Sequence, residues 1–199
     1  TDTAGNTSLA SASRTIVVDT TAPTVSSVAL ISDTETTYDV LNAGDKVTAK
    51  VTFDDDVYLV NTASTPNPVS IKLVLDSGEV DAFISAASIT AAGSGTSELT
   101  FEYTIQAGDT AVSGISIKAD SLAYAAQTVV LEDEAGNEVA GAFAVVDANA
   151  DYKVDTTKPT ATVTLDGDAN YAAGETATLT VKFSEAVTGF TKDDLVVGS

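Results

Sequence analysis

The segment Lys46-Val47-Thr48-Ala49-Lys50-Val51-Thr52-Phe53 alternates polar and apolar side chains. Because successive side chains of a β-strand point to opposite faces, this alternation predicts a strand that is half buried. Its inward-facing set is Val47, Ala49, Val51 and Phe53. A second segment alternates in the same way, and its inward-facing set is Leu99, Phe101, Tyr103 and Ile105. Strands of this kind predict a sheet with one face on a core and the other face in solvent.

Further runs rich in β-branched and aromatic residues follow along the chain, and Gly, Asp or Asn turn signals separate them. These predicted strands are Thr24–Ile31, Ile71–Leu75, Asp81–Ile84, Ile115–Lys118, Thr128–Leu131 and Tyr152–Val154. Short strands with one polar face each predict an all-β fold, an antiparallel β-sandwich. The Ala-rich stretch Ala119–Ala126 leaves a helical turn open as an alternative.

The composition excludes several kinds of site. The chain has 199 residues with 29 acidic side chains, 9 Lys and Arg, and no His, Cys, Met or Trp. Without Cys and His there is no thiol nucleophile, no imidazole acid–base group and no Cys/His zinc site. Hard oxygen ligands remain, and they suit Ca²⁺. A net charge of −20 argues against nucleic acid or an anionic membrane as the partner.

The sequence has no apolar run of the roughly 18 residues that a membrane-spanning helix needs, so we expect no direct membrane insertion. No basic-then-apolar secretion signal stands at its start. The absence of Met suggests a piece cut from inside a longer chain.

Three pairs of segments recur in the same order at nearly one spacing. Val18–Thr24 recurs 136 residues later as Val154–Thr160, Asp2–Asn6 recurs 131 residues later as Asp133–Asn137, and Asn42–Lys46 recurs 130 residues later as Ala172–Thr176. These matches predict a tandem array with a period of about 130 residues. Residues 1–19 are then the C-terminal strands of a preceding repeat, residues 20–155 a complete repeat, and residues 156–199 the N-terminal strands of the next.

The repeated motifs resemble those of the bacterial immunoglobulin-like (Ig-like) repeats that form the stalks of giant secreted adhesins. The resemblance rests on the two linkers between repeats, Val18–Thr24 and Val154–Thr160, and on the two Asp-Xaa-Ala-Gly-Asn segments. It also rests on Phe183–Val187 (FSEAV) and Phe190–Leu195 (FTKDDL). At Phe53–Val57 (FDDDV) the chain departs from the family's FSEAV pattern.

The resemblance implies Ig-like antiparallel β-sandwich repeats in tandem, similar to the extender modules of RTX-type adhesins. It also implies an extracellular protein of the bacterial cell surface that supports cell adhesion and biofilm formation. Ca²⁺ would stiffen the domain junctions, and the partners would be the neighbouring Ig-like repeats of a monomeric chain.

Sandwich geometry predicts that three acidic segments meet at one end of the complete repeat. The second-to-third strand loop, the sixth-to-seventh strand loop and the entering linker lie at the same end of an Ig-like sandwich. They carry Asp54, Asp55 and Asp56, then Glu132, Asp133, Glu134 and Asn137, and finally Asp19. Because seven close carboxylates repel one another, an ion with six to eight oxygen ligands would stabilise them. We therefore predict a Ca²⁺ site there.

The second linker predicts a second Ca²⁺ site, with Asp155 and Glu185 as ligands and with Asp147 or Asp151 as open additions. In both linkers Pro23 or Pro159 fixes φ and biases the preceding residue to an extended conformation. A short, extended linker that is clamped by an ion would make a stiff joint.

Other interpretations of the same residues remain. Asp, Gly and Asn are common in solvated turns, which explains the acidic motifs without an ion. Paired carboxylates could serve a glycosidase, but no Trp is present to line a sugar platform, and we expect no enzyme. The alternative function is a module that binds a carbohydrate or a like repeat. A concave apolar or aromatic pocket away from the junctions would favour that alternative.

Overall fold

The computed structural model describes residues 1–9, 12–31, 40–61, 69–124, 129–167 and 170–195. The chain divides into two compact units, Thr1–Asp155 and Thr156–Ser199. The division into one complete and two partial repeats stays a prediction. The stretch 61–68, which looks like an insertion relative to the family pattern, lies outside the described residues from 62 onward.

In the described part of the first unit there are twelve strands and one helix. The strands are β1 Val25–Ile31, β2 Val40–Leu41, β3 Lys46–Asn61, β4 Val69–Leu75, β5 Gly78–Ile84, β6 Thr96–Thr104, β7 Thr110–Ala111, β8 Ile115–Ile117, β9 Ala123–Tyr124, β10 Val129–Glu132, β11 Val146–Asn149 and β12 Lys153–Asp155. The helix α1 is Ala86–Ala92, and the 3₁₀ turn Ala150–Tyr152 precedes β12.

Nine of these strands form one antiparallel sheet with the order β1-β3-β6-β5-β4-β8-β11, to which β10 adds by pairing with β3 and β9 by pairing with β4. The strands β2, β12 and β7 form a small second sheet, in which β2 and β12 are parallel and β12 and β7 antiparallel. The sheets take a sandwich-like arrangement, which confirms the predicted all-β, antiparallel sandwich, with the parallel pair β2–β12 as the exception.

The predicted inward faces form the core. All four inward residues of β3 are at most 3% exposed, and Leu99, Phe101 and Ile105 are at most 1% exposed. Tyr103 is only half buried, and its hydroxyl donates a hydrogen bond of 2.7 Å to the Asp109 carboxylate. The alternating strands β4 and β8 complete the core with Ile71, Leu73, Ile115 and Ile117. Burial of this apolar surface is the main term that stabilises the first unit.

The structure differs from the prediction in its helical segments. The helix α1 was not predicted, and it begins after Ser85, whose side chain accepts a hydrogen bond from the Ser88 amide. That N-cap satisfies one of the free amides of the first turn. In Ala119–Ala126, where a helical turn was an alternative, the described residues form no helix, and Ala123–Tyr124 pair with β4.

The prediction that Asp54–Asp56 form a loop is wrong, because β3 continues through them for a total of 16 residues. The first part of β3 pairs with β1 and β6, and the last part pairs with β10. Between Thr52 and Val57 the register with β6 shifts, so more residues lie on β3 than on β6. A bulge of this kind bends a strand and leaves residues unpaired. The three Asp side chains are exposed as a result.

The second unit consists of an antiparallel hairpin and a 3₁₀ turn in its described residues. The strands are β13 Ala161–Asp166 and β14 Thr178–Phe183, and the 3₁₀ turn is Lys192–Asp194. The Phe183 and Phe190 rings pack edge to face with their centroids 5.0 Å apart. The first pair of the hairpin, Ala161 opposite Phe183, corresponds to Val25 opposite Phe53 in the first unit.

Two Phe residues on the neighbouring strands β5 and β6 differ in burial, and this difference predicts different losses of stability. Phe101 is 0% exposed and Phe83 is 40% exposed. We expect Phe101→Ala to lower the free energy of unfolding by about 3–5 kcal/mol, because it removes buried surface and leaves a cavity. Phe83→Ala serves as the matched control and should cost clearly less. Urea denaturation of both variants measures the difference, and equal losses would contradict this description of the core.

Candidate functional site

One cleft of the first unit gathers acidic residues from three segments. It has a volume of about 430 Å³. Its lining comprises Val17 and Asp19 from the linker side, Asp55, Asp56 and Tyr58 from β3, and Asp133, Glu134 and Ala135 from the turn after β10. Five carboxylates therefore surround one space, and neither Lys nor Arg is among the residues that line it.

The position of the wall formed by β3 follows from local packing. Asp55 and Asp56 lie in the bulge, and Tyr58 is the first residue of β3 that pairs with β10. The Tyr58 ring lies against Gly95, where a Cβ atom would approach the ring to 2.7 Å. Gly95 also has a φ of +87°, which a side chain would strain. A Gly at 95 is therefore needed for the ring to hold this position.

The second wall is the turn Asp133–Asn137, which is built around one carboxylate. Asp133 Oδ1 accepts hydrogen bonds from the amides of Ala135 and Asn137, both at 2.8 Å, and Oδ2 accepts one of 2.7 Å from Asn137 Nδ2. Gly136 has a φ of +89°, so this turn requires Gly there. Asp133 is only 5% exposed, and its charge is used to hold the turn.

These hydrogen bonds lower the pKa of Asp133 below its usual value of 3.8, chiefly through the Asn137 side chain. The pKa of Asp54 is also below 3.8, chiefly because the Thr24 side chain donates to it. In both cases the hydrogen bonds favour the charged form and outweigh the desolvation that opposes it. Both carboxylates are therefore ionised at neutral pH.

The linker is tied to the first unit at three points. Asn137 Nδ2 donates to the Asp19 carbonyl oxygen at 3.3 Å, and the Ala140 amide donates to the Pro23 carbonyl oxygen at 2.8 Å. Thr24 is held by Asp54, whose two carboxylate oxygens each accept a hydrogen bond of 2.6 Å from it. The Pro23 side chain is buried. Both ends of the segment Asp19–Thr24 are thus held against the rest of the unit, and Asp19 lies at the cleft.

The predicted ligands of the first site fall into two groups. Asp19, Asp55, Asp56 and Asp133 line the cleft together with Glu134. Asp54 holds Thr24 instead, and Asn137 holds Asp133 and Asp19. Glu132 is the last residue of β10, lies opposite Tyr58 and is half buried. Metal ligation by any of them stays a prediction.

The predicted second site joins Asp155, at the end of β12, to Glu185 in the second unit, where it is exposed. Their shared role as ligands stays a prediction, as do the additions Asp147 and Asp151. Sequence reasoning missed Tyr58, Val17 and the bond between Asp54 and Thr24. The signal for that bond was the alignment of FDDDV with FSEAV, which puts a short side chain with an acceptor oxygen, Asp54 or Ser184, directly after the Phe in both copies.

The oxygen atoms of the cleft suit Ca²⁺, because carboxylate and carbonyl oxygens are its preferred ligands. Over the described ranges, however, no three acidic side chains are already grouped closely enough to hold a metal ion. Asp19, Asp55, Asp56 and Glu134 are exposed, so their side chains are free of the packing that would prevent a change of rotamer. An ion would have to draw these side chains together across the cleft.

A second, smaller groove of about 340 Å³ lies near the other end of β3. Phe83 lines it and is 40% exposed, with Lys46, Asp81 and Glu102 among its neighbours there. These charged groups form ion pairs, Lys46 with Glu102 at 2.9 Å and Asp81 with Lys72 at 2.8 Å. The groove therefore combines one exposed ring with charges that compensate one another.

The comparison with protein families finds a match in the C-terminal part of the chain. Residues 155–199 match the family model of the bacterial Ig-like domain. The match supports a bacterial Ig-like domain in the part of the chain that contains the hairpin β13–β14. No curated protein and no solved structure matches the chain. Of the helices in the described ranges, none is long and apolar enough to span a membrane.

The lowered pKa values predict a pH dependence of stability. Asp133 and Asp54 contribute stability that is fully present above their usual pKa of 3.8 and is lost as the pH falls through their lower folded-state pKa values. We expect Asp133→Asn to lower the melting temperature at neutral pH. Between neutral pH and about pH 3 the melting temperature of the variant should then fall less than that of wild type. Glu134→Gln, at the exposed neighbour, is the control. If the melting temperatures of wild type and Asp133→Asn fell by the same amount over this pH range, the assignment would be contradicted.

Proposed function

We propose that this chain is a structural extender from a large adhesin of the bacterial cell surface. In this proposal Ig-like repeats follow one another along an extracellular stalk that supports cell adhesion and biofilm formation. Ca²⁺ binds where the linker enters a repeat and stiffens the junction. The match to the bacterial Ig-like domain supports a module of a surface protein. The resemblance of the chain's repeated motifs to adhesin repeats supports the more specific role.

The cleft at the linker is the observation that carries this proposal. Carboxylates from the linker, the β3 bulge and the turn after β10 surround one space whose lining contains neither Lys nor Arg. Like charges that face one space disfavour each other's ionised form, the more so the closer they come. A divalent cation would remove that repulsion by binding them together. Since one of the five, Asp19, belongs to the linker, such binding would couple the linker to the body of the repeat.

The linker contacts explain how an ion could stiffen the junction. Asp19 already lies at the cleft, hydrogen bonds hold the segment from Asp19 to Thr24, and Pro23 limits its backbone conformations. An ion that binds only when Asp19 lies at the cleft favours that arrangement over all others. The restraint then acts on the segment through which one repeat is joined to the one before it.

A non-catalytic role agrees with the chemistry of the cleft. Asp133 is engaged by three internal donors, and the other carboxylates in the lining are exposed. The chain contains no His or Cys that would act as a nucleophile or an acid–base group beside them. We therefore propose structural support and not turnover of a substrate.

Calcium titration of the whole chain tests the proposal. At a hundredfold excess of Ca²⁺ over Kd, binding to the folded state adds about 2.7 kcal/mol, or roughly 5–10 °C in melting temperature for a chain of this size. The double variant Asp55→Asn/Asp56→Asn should lose most of this shift, because it removes two of the carboxylates. Glu102→Gln, a surface acid of the other groove, should keep it. The absence of any Ca²⁺-induced shift or heat in the wild-type chain would disprove the Ca²⁺ site.

The effect on the junction requires its own measurement. Small-angle scattering of the chain should differ between Ca²⁺ and EDTA, because the ion restricts the linker. The Asp55→Asn/Asp56→Asn variant should give the EDTA profile in both buffers. Identical wild-type profiles in Ca²⁺ and EDTA would count against stiffening even if the ion binds.

A ligand-binding module is the second candidate function, and the exposed Phe83 in its groove is the observation that favours it. An exposed ring beside polar groups suits stacking of a sugar. The ion pairs of Lys46 with Glu102 and of Asp81 with Lys72 count against it, because these charged groups already have partners. Glycan binding that is lost in Phe83→Ala would support this function, and no binding to a broad glycan panel is the outcome we expect.

A further inference from the structure

We propose that Asp54 is a positioning residue that latches the linker without a metal ion, and that it is not a ligand of the cleft. This inference deepens the proposed function, on which its calcium part rests. It divides the run Asp54–Asp56 into one carboxylate for the linker and two for the cleft.

The first support is the geometry of Asp54. Its Oδ1 and Oδ2 accept hydrogen bonds of 2.6 Å from the Thr24 amide and from Thr24 Oγ1, and its own amide donates to the Thr24 carbonyl oxygen at 3.1 Å. Three hydrogen bonds thus join two residues that are 30 positions apart. Asp54 is not among the residues that line the cleft, whereas Asp55 and Asp56 are.

The second support is the equivalent position in the other unit. The Thr160 amide donates to Ser184 Oγ at 2.9 Å, and the Ser184 amide donates to the Thr160 carbonyl oxygen at 2.9 Å. Two of the three hydrogen bonds at Asp54 therefore recur at Ser184. The residue after Ser184 is Glu185, which occupies the place of Asp55. A hydroxyl does the same work in this unit, so a metal-ligating carboxylate is not needed at this position.

The first unit has Asp54 where the second unit has Ser184, and the carboxylate provides one more hydrogen bond than the hydroxyl. A carboxylate has two oxygens, so it accepts from both donors of Thr24, and hydrogen bonds to a charged acceptor are stronger than neutral ones. The latch holds Thr24 at the start of β1 and so limits where the linker before it can run. It acts whether or not an ion occupies the cleft.

Hydrogen exchange in EDTA tests the latch on the full chain. The Thr24 amide should exchange faster in Asp54→Ser than in wild type, and faster again, by about tenfold or more over wild type, in Asp54→Ala. The reciprocal variant Ser184→Asp should slow exchange at Thr160, since it supplies a second acceptor oxygen. Circular dichroism of each variant establishes that the fold is retained. Unchanged exchange at Thr24 in Asp54→Ala would overturn the latch.

Calcium titration of the same variants separates a positioning residue from a ligand. Asp54→Ser should bind the same number of Ca²⁺ ions as wild type with a Kd within about threefold, while Asp55→Asn should weaken binding by about tenfold or more. An equal loss in both variants would make Asp54 a ligand and overturn the inference. If wild type binds no Ca²⁺, the proposed function fails, and the exchange experiment still decides whether Asp54 is a latch.

Discussion

The double pairing of strand β3 is the constraint on which the candidate site depends. Its first part must bury Val47 to Phe53 between β1 and β6, while its last part must pair with β10. One continuous strand meets both demands only if it bends between them, and the register shift between Thr52 and Val57 is where it does so. The residues in the bend have no pairing partner on β6, so they are free to carry charge. Because β10 leads directly into Asp133, the same pairing brings the acidic turn beside the acidic bend.

The internal repeat of the sequence is matched by a repeat of the same hydrogen bonds. In the first copy of the Asp-Xaa-Ala-Gly-Asn turn, Asp2 Oδ1 accepts from the amides of Ala4 and Asn6, both at 2.9 Å, and Oδ2 accepts from Asn6 Nδ2 at 2.8 Å. These are the three bonds made by Asp133, and Gly5 has a φ of +88° against +89° for Gly136. The motif therefore specifies a self-contained turn. Its Asp, Gly and Asn are required by turn geometry before any role in binding is considered.

Much of this fold could be predicted because alternate side chains of a strand point to the same face, so an alternating sequence shows which face is buried. The faces of β3 and β6 were correct, since a period-two pattern permits one buried set. The bend at Asp54–Asp56 could not be predicted in this way, because three consecutive acids are as typical of a loop as of a bulge. Helix α1 was missed for a similar reason: Ala86–Ala92 is short, and its N-cap Ser85 stands out only once β5 is known to end at Ile84. For the site, sequence could name the acidic segments. It could not say which carboxylates were already engaged by internal donors.

That distinction decides how the charge of the chain should be understood. Asp133 and Asp54 are each held by several donors, and their low pKa values express this compensation. At Asp19 and Asp55 the hydrogen bonds are local, from the amides of Thr21 and Asp56 respectively. The acidic residues near the linker therefore divide into carboxylates that several internal donors hold and exposed carboxylates whose hydrogen bonds are only local. A cation would gain little from a carboxylate that already has several donors, so the proposed Ca²⁺ site depends on the carboxylates with only local hydrogen bonds. A strongly acidic composition is thus weak evidence for a metal site, because part of the charge is already held by internal donors.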